Sequence, residues 1–143
     1  MKILVINGPN INMLGIREPG IYGKQTFADL LQLLQDTAAI EGVEVIQYQS
    51  NHEGDLIDKI QWAWDKMDGI VINPGGYTHT SIAIMDALKA INVPAVEVHI
   101  SDVDAREPFR QISYAGMACV KTIKGHGIEG YREAICYLKD HFH

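Results

Sequence analysis

The chain has 143 residues, 47% of them hydrophobic and 21% charged, which suits one folded domain with a sizeable core and excludes a disordered chain. Its formal net charge is −6 with Lys and Arg scattered, which argues against nucleic acid or an anionic membrane as partner. No apolar run approaches the roughly 20 residues that span a bilayer, and "MKILVING" lacks a secretory apolar region and cleavage site. The expectation is a single domain over 1–143 in the cytoplasm.

Apolar runs alternate with helical patterns along the whole chain. "KILVI" (2–6) predicts a first strand. "TFADLLQLLQDTAAIEG" predicts a helix with Thr26 as N-cap, Gly42 as stop, and Phe27, Leu30, Leu31, Leu34 and Ala38 on one face. Residues 43–49 predict a second strand, and 54–67 a helix aligning Ile57, Ile60, Trp64 and Met67. "GIVIN" (69–73) predicts a third strand, followed by a helix from about Ser81 to Ile91 with Ile84, Ala87, Leu88 and Ile91 inward. "PAVEVHI" and "ACVKTI" predict strands four and five, and "IEGYREAICYLKDHF" a closing helix.

Five strands alternating with helices imply right-handed βαβ crossovers and a parallel sheet covered on both faces. A single reversal of direction favours the flavodoxin-like α/β order 2-1-3-4-5, doubly wound, with ligands bound beyond the carboxyl ends of the strands near strands 1 and 3. The informative residues should therefore follow strands 1, 3 and 4.

After strand 1 comes "NGPNINMLGIREPGIYGK" (7–24), far longer than the usual strand-to-helix connection of about 2–6 residues. Asn10 is either plain turn chemistry or an amide offered to a ligand. Tyr22 is an ordinary loop anchor, or a base whose pKa falls because Arg17 lies near it on a closing lid. After strand 3, "NPGGYTHTS" places Asn73, Gly75, Gly76 and His79 just before a helix N-terminus, a site where backbone can approach an anion. After strand 4, period two puts Glu97 and His99 on one side of the sheet, as a structural ion pair or as an imidazole oriented for acid–base work. "DVDAREPFR" then offers Arg106 and Arg110 to solvent or to an oxygen-rich ligand.

"GHGIEG" (125–130) has dinucleotide-fingerprint spacing, but the chain lacks the later strand with an acidic end that such a site needs, so a tight turn is expected. Cys119 and Cys136 read as buried free thiols. The six His form no H-x-x-x-H pattern, and neither a metal nor a cofactor is expected. With no activated Ser or Cys and no phosphate loop, the inventory fits proton abstraction and donation on a small oxygenated acid. A non-catalytic flavodoxin-like binder of FMN or another phosphate-bearing ligand is the rival, weakened by the missing Ser/Thr-rich loop after strand 1. An assembly protein that keeps the fold without activity is a third.

Three separated segments, "NGPNINMLGIREPGIYG", "NPGGYTHTSIAIMDAL" and "EVHISDVDAREPFRQISY", strongly resemble the type II 3-dehydroquinate dehydratase family over essentially the whole chain. The resemblance implies a flavodoxin-like fold, no cofactor, a dodecamer built from trimers, and anti elimination of water from 3-dehydroquinate through an enolate in the shikimate pathway. Tyr22 matches the base at C2, Arg17 the lid cation that holds it as phenolate, and Asn10 a stabiliser of the enolate oxygen. His99 matches the acid that protonates the leaving hydroxyl, with Glu97 as its partner. Asn73 and the amides of Ile100 and Ser101 match a carboxylate site, His79 and Arg110 bind ring hydroxyls, and Asp86 reaches a neighbouring subunit's site. Met85 stands where the family often has Arg, and Asp102 where Asn is frequent; the first puts an inter-subunit ion pair there in doubt.

Overall fold

The structure is a computed structural model that describes residues 1–16, 20 and 24–143. Its five strands are β1 (Lys2–Asn7), β2 (Glu44–Gln49), β3 (Gly69–Asn73), β4 (Ala95–His99) and β5 (Lys121–Lys124). They form one parallel sheet in the order β2-β1-β3-β4-β5, the predicted flavodoxin-like order, with the reversal between β1 and β3. The major helices are α1 (Phe27–Glu41), α2 (Glu53–Trp62), α3 (Ile82–Ile91) and α4 (Glu129–Phe142).

Both faces of the sheet are apolar, and strand alternation decides which residue serves which face. Ile3, Val5, Val71, Val96 and Val98 pack under α1 and α4 with Leu30, Leu34, Tyr131 and Ile135. Leu4, Ile6, Ile70 and Ile72 pack under α2 and α3 with Leu56, Ile60, Ile84 and Leu88. Glu97 falls among the second set by the same alternation and is fully buried.

Helix boundaries follow local chemistry. Thr26 and Asp29 form a reciprocal capping box at the start of α1, and Gly42 ends it at φ +65. Ser81 caps α3 by accepting from the Ile84 amide, and Ile84, Ala87, Leu88 and Ile91 are its buried face, as predicted. The face of α1 is turned slightly from the expected one, so that Leu33 and Thr37 are buried while Phe27, Leu31 and Ala38 are half-buried. Thr37 is accommodated because its hydroxyl donates to the Leu33 carbonyl at 2.7 Å.

Two expectations need correction. The second helix stops at Trp62 rather than 67, because Asp65 takes up a left-handed φ of +64 and turns the chain toward β3. Trp64 is consequently 64% exposed, and Leu56 takes the inward position beside Ile60. The fifth strand begins at Lys121, after a 3-10 turn at Ala115–Ala118, so Cys119 precedes the strand. The 125–130 glycines turn the chain: Gly125 and Gly127 have φ of +81 and +60, and Gly130 packs against Val98 and Ile123. No helix among the described residues is long and apolar enough to cross a membrane.

The long connection after β1 is anchored in its first half. Residues Ile11–Met13 form a 3-10 turn, and Ile11 and Leu14 are buried in the core under α1. Arg17 and Tyr22, and with them the proposed lid chemistry, lie outside the described residues.

Candidate active site

The connections after β1 and β3 meet at the reversal of strand order, and two glycines allow it. The Gly8 amide donates to the Asn73 carbonyl at 2.7 Å. A Cβ on Gly8 would sit 2.3 Å from the Pro74 carbonyl oxygen. A Cβ on Gly75, at φ +62, would sit 2.9 Å from the Pro9 carbonyl oxygen. Gly75 was expected to admit a ligand; here its lack of a side chain admits the neighbouring loop. Gly76 is exposed with nothing near its Cβ position.

Above this crossing lies a cavity of about 220 Å³. The β1 connection lines it with Pro9, Asn10 and Ile11, the β3 connection with Asn73, Gly75, Gly76 and His79, and β4 and its connection with His99, Ile100, Ser101, Val103, Arg106 and Arg110. Most of the sequence-predicted site residues thus share one cavity. Glu97 lies behind His99, outside that lining. Asp86 is exposed on α3 and does not line its own chain's cavity. Arg106 belongs to the lining although it was left open in the sequence. Its spacing to Arg110 was the available signal, but the segment forms two 3-10 turns, Val103–Ala105 and Pro108–Arg110, rather than one helix.

Each polar wall has a structural cause. Asn10 adopts a left-handed φ of +72, and its amide donates to Asn51 Oδ1 at 3.1 Å. Asn73 accepts from the Gly75 amide at 3.1 Å and donates to the Tyr131 hydroxyl at 3.0 Å. Tyr131 in turn donates to Asn7 Oδ1 at 2.6 Å, so α4 fixes the amide at the end of β3. Burial pushes the Tyr131 hydroxyl well above the usual phenol range and keeps it neutral. His79 Nδ1 is 2.7 Å from the Ile112 carbonyl, which can only accept, so Nδ1 carries a proton and Nε2 is the nitrogen left unengaged by that bond. Arg110 Nε donates to Glu107 at 2.7 Å.

The chemical centre is on β4. His99 Nε2 lies 3.0 Å from Glu97 Oε2, with both side chains almost wholly buried. Nε2 makes no aligned hydrogen bond, so this is a close contact rather than a directed bond. The His79 and His99 rings lie nearly parallel with centroids 6.5 Å apart. Burial pushes the Glu97 acid up, but the adjoining His99 ring and the hydroxyls of Ser113 and Thr78 outweigh it and hold the group at about 2. Glu97 is therefore a carboxylate at neutral pH. Cys119, by contrast, is pushed up to about 12 by burial and then by the Glu97 charge, so its thiol is not a nucleophile there. Among the described residues no group of His, Cys, Asp or Glu is arranged to hold a metal ion.

A small polar cavity with an oriented buried imidazole, two arginines and amide donors can bind an oxygenated anion and give or take a proton. Compared with known proteins, residues 1–139 match the family model described as dehydroquinase class II. A 3-dehydroquinate dehydratase of Clostridium acetobutylicum is 55% identical over 140 residues, covering 98% of this chain and 97% of the relative. One from Corynebacterium glutamicum is 56% identical over 137 residues, covering 96% and 94%. The crystal structure of a type II dehydroquinase from Butyrivibrio crossotus superposes with a TM-score of 0.95 at 52% identity, covering 97% of each chain. With this fold, this cavity and matches that run nearly end to end, the chain belongs to the class II dehydroquinase family.

Proposed function

We propose that this chain dehydrates 3-dehydroquinate to 3-dehydroshikimate by anti elimination through an enolate, using no cofactor. The observation that carries it is the Glu97–His99 pair, a buried carboxylate 3.0 Å from an imidazole that lines a polar cavity. Tyr22, as phenolate beside Arg17, removes a proton from C2, and the electron pair moves to the C3 oxygen. Asn10 stabilises that enolate oxygen. When the enolate collapses, the C1–O bond breaks, and His99 protonates the departing hydroxyl so that water leaves. The proton on Tyr22 then passes to solvent and His99 regains one, closing the cycle.

Substrate orientation follows from the cavity walls. Asn73 and the amides of Ile100 and Ser101 receive the carboxylate, and His79 and Arg110 receive ring hydroxyls. Gly76, with nothing near its Cβ position, keeps that wall low, and Gly75 lets the β1 connection close against it. We place the reaction in the cytoplasm, in the shikimate route to aromatic amino acids, within a dodecamer built from trimers. Asp86, exposed and remote from its own cavity, fits the part of a residue offered to a neighbouring subunit.

The test is an ultraviolet assay of the purified protein with 3-dehydroquinate. A rise in absorbance from the conjugated enone supports the proposal. No rise, where a known dehydratase converts the same substrate, overturns it.

A further inference from the structure

Glu97 is more heavily bonded than a partner for one histidine requires. Its Oε2 accepts from the Thr78 hydroxyl at 2.5 Å and from the Ser113 hydroxyl, and its Oε1 accepts from the Thr122 hydroxyl at 2.9 Å. The three hydroxyls come from three places. Thr78 is in the 3-10 turn Gly75–His79 after β3, Ser113 is in the connection before β5, and Thr122 stands opposite Glu97 in the β4–β5 register.

Ser113 is held by the backbone and by Thr78. The Gly116 amide donates to Ser113 Oγ at 3.0 Å, and Ser113 Oγ also lies 2.8 Å from Thr78 Oγ1, so the two hydroxyls and the carboxylate form one cluster. Gly116 also makes room for the group, since a Cβ there would lie 2.9 Å from Glu97 Oε1. The same segment is tied to the cavity wall, because the Tyr114 amide donates to the Thr78 carbonyl at 2.7 Å. Both carboxylate oxygens are thus held from β5 and the two connections, beside the imidazole.

We propose that Thr78, Ser113 and Thr122 are positioning residues that act through Glu97, holding its carboxyl group in place beside His99 for the acid step of the dehydration. This rests on the dehydratase reading above. None of the three residues lines the cavity of about 220 Å³ described above. The titratable neighbours of the carboxylate are His99 on its own strand and Cys119, whose thiol stays neutral, and the cavity that Glu97 lines is also bordered by His79, Asp104, Arg110 and Lys124. Lys124, two residues after Thr122, is engaged by Asp104.

The experiment compares Thr78→Val, which keeps the shape and loses the hydroxyl, with Thr78→Ser, which keeps the hydroxyl, and adds Ser113→Ala. Expected for Thr78→Val and Ser113→Ala is a fall in kcat of about ten-fold or more with KM changed less than about two-fold. Thr78→Ser retains most of the parent's rate. An unchanged kcat in Thr78→Val and Ser113→Ala, or equal damage from Ser and Val at position 78, overturns the proposal. The carboxyl carbon resonance of Glu97, assigned by its loss in Glu97→Gln, reads the same effect without turnover. Its titration moves to higher pH in Thr78→Val if the hydroxyls hold the carboxylate, and stays in place if they do not. A moved titration in a protein whose parent converts no 3-dehydroquinate supports the clamp and refutes the dehydratase.

Discussion

Glu97 and His99 stand two residues apart on β4, and their side chains meet at 3.0 Å with the carboxylate fully buried. Two residues apart on a strand means the same face, so the contact follows from pleat geometry. Replacing His99 by Ala removes the proposed proton donor for the leaving hydroxyl, and a fall in kcat of about 10²–10⁴-fold is expected. Glu97→Gln keeps the volume but removes the charge beside the ring, and should lower kcat by a smaller factor. Steady-state kinetics with 3-dehydroquinate checks both; equal KM effects and unchanged kcat would reassign the pair to ground-state binding.

The same carboxylate should make the fold acid-sensitive. Its pKa is lowered from 4.5 to about 2 in the folded chain. The folded state therefore binds fewer protons than the unfolded state between those values, and stability rises with pH across that window. The contribution is complete above about 4.5 and is lost as pH falls through about 2. Its full size is on the order of 3 kcal/mol. Urea unfolding of the parent and Glu97→Gln at a series of pH values should show the shallower dependence in the variant over pH 2–4.5.

Glycine positions separate close approach from free space. Gly8→Ala pushes a methyl group against the Pro74 carbonyl, 2.3 Å from the Cβ position, and should cost about 2–4 kcal/mol or prevent folding. Gly75→Ala meets both the Pro9 carbonyl and a left-handed φ, and should cost about 1–3 kcal/mol. Gly54→Ala, within α2 and facing open space, should stabilise by roughly 0.5–1 kcal/mol. Thermal denaturation orders the three.

Tyr22→Phe removes the proposed phenolate while preserving the ring. Turnover is expected to fall about 100-fold or more while an unreactive substrate analogue still binds. Arg17→Ala should also harm kcat more than KM, because on the proposed mechanism it acts on the base rather than on ground-state binding. Calorimetric titration of the analogue beside initial rates distinguishes these outcomes from a simple loss of affinity.

Much of this was legible in residue order because it depends on local chemistry. The Thr26 cap, the Gly42 stop, the "GIVIN" strand and the Glu97–His99 alternation are each set within a few residues. What could not be read needs partners distant in sequence. Ser113 and Thr122 reach Glu97 only through the β4–β5 register and the 3-10 turn that precedes β5. Gly8 looks like any turn glycine until β3 places Pro74 against it. Trp64 continues a helical period on paper, yet the left-handed Asp65 turns the chain and leaves it in solvent. Arg106 was half-legible: its spacing drew attention, but a helix was the wrong reason for it to face the cavity.

The most direct test of base and acid on opposite faces is the fate of a label at C2 of the substrate. 3-Dehydroquinate carrying deuterium stereospecifically at one C2 position is incubated with the protein, and the enone product is analysed by mass spectrometry. Loss of the deuterium anti to the C1 hydroxyl, with retention of the syn label, is the predicted result. Loss of the syn label, or no enone from either substrate, would contradict it.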